Sequence, residues 1–237
     1  QRCRKEWLAL GPLRSQRSLC IPNCCREDAA LRLREEPRSR VRSKLGIPGD
    51  SQVAVCVASV QERKGQDILV DQFDAVKAHL PHLELYLVGP VAESRGGTEI
   101  LEAVACHPSR NSIHLLGGRT DAMEFIRAAD VLLFPSRAEA QGIVVLEAMA
   151  LRTPVVAADV DGIPEMIRHE ETGLLFRHNH PEELVEGIVR LVKDDALRTR
   201  CIMNAEQLYW IEFSRSRQAE RWADAVRTML DVDQGGV

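Results

Sequence analysis

Glu139 and Glu147, eight positions apart, are the side chains of this sequence whose type and setting best suit chemistry. Glu139 lies in a polar segment after an apolar run that ends at Pro135-Ser136, and Glu147 interrupts the apolar run 143–150, which Gly142 opens. Because a carboxylate is costly to bury in an apolar helix without a partner, this pattern predicts a ligand site at a strand-to-helix junction. A capping or ion-pair role is the alternative for either glutamate.

This junction suits the recognition of hydroxyl and phosphate groups. A carboxylate such as Glu147 accepts hydrogen bonds from paired hydroxyls, and Glu139 in the loop ahead reaches hydroxyls of a sugar. The free amides of a helix that starts at Gly142 point towards a phosphate or a sugar. Together these features favour a ligand with sugar and phosphate groups.

An earlier junction combines two cations with the start of a helix. Arg63 and Lys64 lie in the segment 59–65, between an apolar strand and a helical pattern. Free amides and the helix dipole already favour anions at such a place, so the two cations suit a diphosphate. A solvated charged loop is the alternative.

Two further junctions are rich in glycine. Gly89 follows a predicted strand, and Gly117 precedes Arg119. Both glycines are as typical of tight turns as of a close approach of the backbone to a ligand. Asp121 fits the cap of the helix that follows.

Asp159 and Asp161 form an Asp-x-Asp triplet, which in metal-dependent sugar transferases holds a diphosphate through a divalent ion. Such triplets are common by chance, and Asp231 and Asp233 form another. Asp161 also fits the cap of a helix with Pro164 in its first turn. The cap is the favoured interpretation, and we predict no metal site.

Apolar runs without alternation, each followed by a helical pattern, organise the chain from residue 52 onward. They predict strands buried on both faces, and hence an α/β, Rossmann-like parallel sheet with helices on both faces. Ligands of such sheets bind at the carboxyl ends of strands, where each junction above falls. Predicted strands span 53–59, 83–88, 112–116, 131–134, 154–158 and 173–176. Predicted helices span 28–45, 66–80, 98–106, 121–129, 142–151, 163–169, 181–193, 196–210 and 214–230.

The composition is that of a soluble protein of a reducing compartment. The 237 residues carry a net charge of -4, which gives no reason to expect nucleic acid, and no apolar stretch is long enough for a membrane span. Residues 1–44 hold twelve Lys or Arg against five Asp or Glu. They predict a solvated basic linker, with an anionic partner or an anionic lipid surface as alternatives. The seven cysteines form no CxxC pair, which argues against disulfides, and Cys56 is predicted to be a small core residue.

Taken together, the motifs resemble the donor-binding half of the family-4 glycosyltransferases, which have the GT-B fold. The resemblance runs from about Cys20 to about Lys193, and less clearly to Leu230. Its most specific part is an ordered series of motifs: Pro135-Ser136, Glu139 and Glu147 with seven residues between them, Ala148-Met149-Ala150, Thr153-Pro154-Val155-Val156, Gly162-Ile163-Pro164-Glu165 and Glu171-Thr172-Gly173-Leu174-Leu175. Ile21-Pro22-Asn23 and Arg63-Lys64-Gly65-Gln66-Asp67 support the resemblance.

The resemblance implies a role for each site residue. Glu147 binds the nucleotide ribose, Glu139 lies by the donor sugar, and Lys64 contacts the diphosphate. Arg63 supplies the second cation, since Ser59 stands where the family usually has an arginine. We accordingly assign Glu139, Lys64 and Arg63 to catalysis. The predicted donor contacts are Glu147, Gln141, Gly142, Ile143, Val144, Ser59, Gly117 and Arg119.

The resemblance also implies a function and an organisation. It predicts the donor-binding domain of a retaining, metal-independent hexosyltransferase that uses a UDP-sugar or GDP-sugar and acts on a glycan, lipid or small-molecule acceptor. We expect a linker or remnant of the acceptor domain over 1–50, the nucleotide-sugar-binding domain over 51–212, and a C-terminal helix and tail over 213–237. The expected location is the cytoplasm, at the inner face of the membrane if the basic stretch binds lipid. A non-catalytic nucleotide-sugar-binding module, and a GT-B phosphorylase or epimerase, are the competing functions.

The sequence departs from the family pattern at several positions. Cys24 follows Asn23 where glycine is usual, and the linker then lacks the usual valine-aspartate. Arg152 and Asp161 replace glycines. An N-terminal acceptor domain is expected to be missing, because only a linker precedes residue 52. The last helix resembles the segment that crosses back to that domain, so its neighbourhood is expected to cover or expose apolar surface at Tyr209, Trp210, Phe213 and Trp222.

Overall fold

The computed structural model of the protein describes the backbone of residues 21–234 and the side chains of residues 21–229. Several sequence-based expectations lie outside the described residues. These are the first part of the basic stretch with Cys3 and Cys20, and the aspartate side chains of the second Asp-x-Asp triplet, Asp231 and Asp233.

A parallel sheet of six strands forms the centre of the described chain, as the apolar runs predict. The strand order is β3-β2-β1-β4-β5-β6. The register places Val55 of the central strand opposite Tyr86 on one side and Leu132 on the other. The strands are β1 (Gln52–Val57), β2 (Leu83–Val88), β3 (Ile113–Leu115), β4 (Val131–Phe134), β5 (Val155–Ala158) and β6 (Leu174–Phe176).

Helices cover both faces of this sheet. Alternate side chains of β1 enter different cores, with Val53 and Val55 on one face and Ala54 and Cys56 on the other, because successive strand residues point to opposite sides. Cys56 is thus the core residue that the sequence predicts. The helices are α1 (Glu27–Glu35), α2 (Arg38–Leu45), α3 (Gln66–Asp71), α4 (Phe73–His79), α5 (Arg95–Cys106), α6 (Ala122–Ala128), α7 (Ile143–Ala150), α8 (Pro181–Lys193), α9 (Asp195–Leu208) and α10 (Arg215–Gln234).

Three predicted helices differ from the observed ones. The segment 28–45 forms two helices, because Glu36 takes the extended conformation that a following proline favours. The segment 66–80 also divides, between Asp71 and Phe73. The segment 163–169 gives only a single 3₁₀ turn, Ile163–Glu165, and the chain then folds back into a bridge between His169 and Gly173.

The described part of the predicted basic linker packs on the sheet instead of being solvated. Ala30 and Val41 are buried in the same core as the central strand. Arg38 and Arg42 both pair with Asp130, at 2.6 and 2.8 Å, so an acidic group of the domain draws these cations inward. The domain boundaries at residues 50 and 212 remain predictions.

The last helix leaves apolar side chains in solvent. Tyr209 and Phe213, in a π-helical turn before α10, are buried, whereas Trp210 is 37% exposed and Trp222 is 56% exposed. The described chain thus buries two of the four aromatic side chains that the sequence singles out and leaves the other two partly exposed. No helix between residues 21 and 234 is both long enough and apolar enough to cross a membrane.

Arg152 and Asp161 have a left-handed backbone conformation, at positions where the family usually has glycine. The φ angle is 58° at Arg152 and 44° at Asp161. This conformation is strained for residues other than glycine, with asparagine and aspartate tolerating it best. The departures at these positions therefore keep the backbone shape that glycine would favour.

Candidate functional site at the carboxyl edge of the sheet

Lys64 and Glu139 meet at the carboxyl edge of the sheet. Lys64 ends a 3₁₀ turn, Glu62–Lys64, in the loop after β1, and Glu139 lies in the loop after β4. Lys64 Nζ donates to Glu139 Oε2 at 2.5 Å, and each side chain is 15% exposed. Neighbouring parallel strands thus bring together the two residues that the sequence assigns to the diphosphate and the sugar.

The loop after β4 is bound to the loop after β1 by two arginines. Arg63 Nη1 donates to the carbonyl of Ala138 at 3.0 Å, and the Arg137 N–H donates to the carbonyl of Arg63 at 2.8 Å. Arg137 also pairs with Asp67 at 2.5 Å. Arg63 therefore lies beside the Lys64–Glu139 pair, and Arg137 is a supporting residue that sequence reasoning missed.

The loop after β5 holds Glu139 from the other side. Asp161 Oδ2 accepts the backbone N–H of Glu139 at 2.8 Å, and the Gly162 N–H donates to the Glu139 carbonyl at 3.3 Å. A Cβ atom at Gly162 would lie 2.0 Å from the carbonyl oxygen of Ala140, so this contact requires glycine. The expectation that Asp161 caps a helix is wrong, because its side chain is used across the two loops and Gly162 begins the turn.

The described side chains form no cluster that could bind a metal ion. Among residues 21–229, no three His, Cys, Asp or Glu side chains are placed to share an ion. Asp159 instead lies in a separate cavity of about 310 Å³ beside β6 and α8, which Arg177 and Glu183 also line. Those two charges pair with each other, and neither Lys64 nor the two glutamates line the cavity, so it is separate from their cluster.

Glu147 is buried in the middle of α7, as the apolar pattern predicts, and is 7% exposed. Burial raises the pKa of its carboxyl, and the nearby charge of Arg26 opposes that rise. Arg26 Nε lies 3.6 Å from Glu147 Oε1. In the sequence Glu147 is the only charged residue of an apolar run, whereas in the folded chain Arg26, from a distant segment, lies beside it.

The start of α7 is tied to the segment before α1. Gln141 Oε1 accepts the Asn23 N–H at 2.8 Å, and Gln141 Nε2 donates to the Asn23 carbonyl at 3.3 Å. Gly142 begins the helix, and a Cβ atom there would lie 2.7 Å from the ring of Phe134. The first N–H groups of the helix, which include those of Ile143 and Val144, have no partner within it and are available to a ligand.

The remaining predicted donor contacts, Ser59, Gly117 and Arg119, form hydrogen bonds with nearby loop residues. Ser59 Oγ accepts from the Gln61 side chain at 2.6 Å. The Gly117 carbonyl accepts the N–H of Gly89 at 2.8 Å, which joins the ends of β2 and β3.

Arg119 forms two hydrogen bonds of 2.7 Å with Asp121 and lies over the ring of Phe125. Asp121 stands at the N-cap position of α6, as expected, but its side chain makes no capping bond because Arg119 occupies its carboxylate. The structure thus brings Lys64, Arg63 and Glu139 into one cluster, followed along the chain by α7 and Glu147, and engages Arg119 with Asp121.

Gly65 allows the loop after β1 to approach the end of β4, and its replacement should be costly. Gly65 has φ +74°, and an added Cβ would lie 2.1 Å from the carbonyl oxygen of Pro135. Gly46 is a matched control, because its φ is +69° but nothing lies within 4 Å of the added atom. We expect Gly46→Ala to lower the free energy of unfolding by about 1–2 kcal/mol and Gly65→Ala by about 3 kcal/mol or more. Urea denaturation measures both, and equal losses would show that the approach at Gly65 does not constrain the fold.

Comparison with known proteins identifies the family. The family model described as glycosyl transferases group 1 matches residues 37–208. The D-inositol 3-phosphate glycosyltransferase of Nocardioides sp. is 30% identical over 213 residues, which cover 84% of this chain and 45% of the relative. The enzyme of the same name from Xylanimonas cellulosilytica is 32% identical over 202 residues, which cover 82% and 45%. The chain therefore spans about half the length of the curated relatives it matches.

Solved structures have the same fold. Anabaena HepE in complex with UDP is 25% identical with a TM-score of 0.75, and the match covers 84% of this chain and 55% of that one. Sucrose-phosphate synthase from Thermosynechococcus elongatus is 26% identical with a TM-score of 0.72, covering 90% and 52%. The parallel sheet is thus that of GT-B glycosyltransferases, and the match of the family model over residues 37–208 shows that the chain belongs to the group 1 glycosyl transferases.

Proposed function

We propose that this chain is the C-terminal, donor-binding domain of a retaining, metal-independent family-4 glycosyltransferase that transfers a hexosyl group from a nucleotide sugar. The observation that carries the proposal is the Lys64–Glu139 pair, with α7 and its buried Glu147 directly after it at the carboxyl edge of the sheet. Parallel α/β sheets bind ligands at this edge. A cation, the free amides of a helix and a buried carboxylate match the diphosphate and ribose of one donor.

Each group has a defined role in the proposed reaction. Glu147 accepts hydrogen bonds from the ribose hydroxyls, and Glu139 from hydroxyls of the donor sugar. The hydroxyl oxygen of the acceptor attacks the anomeric carbon on the face from which the diphosphate leaves, so the new glycosidic bond forms as the sugar–phosphate bond breaks. The proton of that hydroxyl passes to the oxygen of the leaving diphosphate. Lys64, Arg63 and the amides of α7 stabilise the charge that develops on the leaving diphosphate.

The similar proteins support the choice of ligands. HepE was crystallised with UDP, which makes UDP and UDP-hexoses the first donors to test, with the GDP compounds as the alternative. The relatives named for D-inositol 3-phosphate make a phosphorylated polyol one candidate acceptor, beside glycans and lipids. Because this chain spans about half the length of those relatives, we assign acceptor binding to the other half of the whole protein.

Calorimetric titration of the chain with UDP, GDP and their hexose conjugates tests the proposal. We expect one nucleoside diphosphate to bind saturably with one site. The dissociation constant should be the same in EDTA and in manganese, because Lys64, Arg63 and helix amides take the place of an ion. Binding that EDTA abolishes and manganese restores would instead make Asp159 and Asp161 metal ligands, and a panel without any binding would refute the donor-binding role.

A further inference from the structure

We propose that Arg26 is a positioning residue for the donor nucleotide, which holds the buried carboxylate of Glu147 ready to accept the ribose hydroxyls. The inference rests on the proposed function and extends it to a side chain outside the strand-to-helix junctions. Arg26 follows Cys24 and Cys25, in the stretch of the linker where this sequence lacks the valine-aspartate usual in the family.

The geometry of the pair leaves the carboxylate available. Arg26 Nε lies 3.6 Å from Glu147 Oε1, which is too long for a strong hydrogen bond but close enough for a substantial charge interaction. The Arg26 side chain is 65% exposed, whereas that of Glu147 is 9% exposed. A carboxylate offers about four acceptor sites, so one loose contact with a cation at the rim does not compete with two hydroxyls.

The other charged groups around α7 are engaged elsewhere or neutral. The Cys25 thiol lies near Glu147, and burial raises its pKa to about 11, so it carries no charge at neutral pH. On α1, Glu27 accepts from the Tyr209 hydroxyl and from the Arg215 N–H. On α9, Glu206 pairs with Arg34 and Arg152.

Three more charged groups near α7 are also engaged. Arg127 of α6 donates to the carbonyls of Arg34 and Glu36. Glu124 of α6 pairs with Lys44, and Glu212 of the π-helical turn pairs with Arg221. Arg26 is therefore the cation that opposes the cost of burying Glu147. Without it the carboxyl spends more time protonated, and a protonated carboxyl loses part of its capacity to accept.

The segment that precedes Arg26 is held in place by several contacts. Asn23 exchanges two hydrogen bonds with Gln141, and the Pro22 carbonyl accepts from Gln218 at 3.0 Å. Cys25 Sγ lies 3.2 Å from the Tyr209 hydroxyl. Shortening the exposed Arg26 side chain should therefore leave the segment in place, and a change in binding would report on the guanidinium itself.

A double-mutant cycle tests the inference with UDP as the probe, or with GDP if the panel favours it. The dissociation constant is measured for the parent, Arg26→Ala, Glu147→Gln and the double variant. We expect Arg26→Ala to weaken binding about 3- to 10-fold in the parent, as is typical of coupling between neighbouring residues, and to have no further effect in Glu147→Gln. Arg26→Lys should restore most of the affinity, and the control Arg32→Ala, an exposed cation of α1, should bind like the parent.

The outcomes separate this inference from the proposed function. Nucleotide binding by the parent, together with an equal loss from Arg26→Ala in both backgrounds, would show that Arg26 does not act through Glu147 and would overturn the inference alone. Tighter binding by Arg26→Ala would overturn it as well, because Arg26 would then obstruct the site. A parent that binds neither UDP nor GDP would refute both. Thermal unfolding of each variant checks that the fold is retained.

Discussion

Replacement of Lys64 by alanine is expected to weaken the binding of a nucleoside diphosphate about 10- to 100-fold while changing the affinity for the free nucleoside little. A hydrogen bond to a charged group contributes about 1.5–3 kcal/mol, and each 1.4 kcal/mol is a factor of ten in affinity. Lys64 is held by its loop at the carboxyl edge, with Nζ 2.5 Å from Glu139, so its charge is directed to one place. Titration of the variant with the diphosphate and with the nucleoside measures the two affinities.

Two further variants make this experiment specific. In Lys64→Ala, Glu139 becomes an unpaired carboxylate that is 15% exposed and repels the diphosphate, so the double variant Lys64→Ala with Glu139→Gln should recover part of the affinity. Glu147→Ala should instead weaken the binding of nucleoside and diphosphate equally, by about 1–3 kcal/mol of binding free energy, because both ligands carry the ribose. Equal losses for the two ligands in Lys64→Ala would place Lys64 away from the phosphates.

The architecture could be predicted from the sequence because its signal is local. The run 53–57 is apolar at every position, and 83–88 is interrupted only by Glu84, and a strand covered on both faces buries such a continuous run. The structure confirms six such strands in one parallel sheet. The local signal differs at the two divided helices. The helical spacing of 66–80 continues through the break at Gln72, whereas Pro37 in the sequence marks the break in 28–45.

The site could be predicted only in part, because its pairs are distant in sequence. The sequence indicates Lys64 and Glu139 separately, and only the three-dimensional structure shows that they form a hydrogen bond. Asn23 and Gln141 are 118 positions apart, and no local sequence pattern indicates that they are in contact. The side chains of Asp121 and Asp161 make no capping bond for a related reason, since each carboxylate has a partner outside the helix that follows it: Arg119 for Asp121 and the Glu139 N–H for Asp161.

The 237-residue chain is expected to bind its donor but to transfer the sugar at a small fraction of the rate of the whole enzyme. Among the proposed donor contacts, Lys64 and Glu139 pair in the loops after β1 and β4, and Glu147 lies in α7, the helix that follows β4. Transfer also needs an acceptor held against the anomeric carbon and a site closed to water, and we assign both to the half of the protein that the curated relatives have in addition.

Positioning of two reactants contributes about 7–11 kcal/mol to lowering a barrier, so its loss should leave almost no turnover while the donor affinity survives. A transfer assay with UDP-hexose and a panel of acceptors, run beside a binding titration on the same preparation, tests this expectation. The control is a fusion protein in which the other half of a longer relative precedes residue 21 of this chain, and turnover should appear in it. Repeated turnover by the 237-residue chain alone would show that one sheet suffices for catalysis, and donor binding without turnover in the fusion would favour a non-catalytic nucleotide-sugar-binding module.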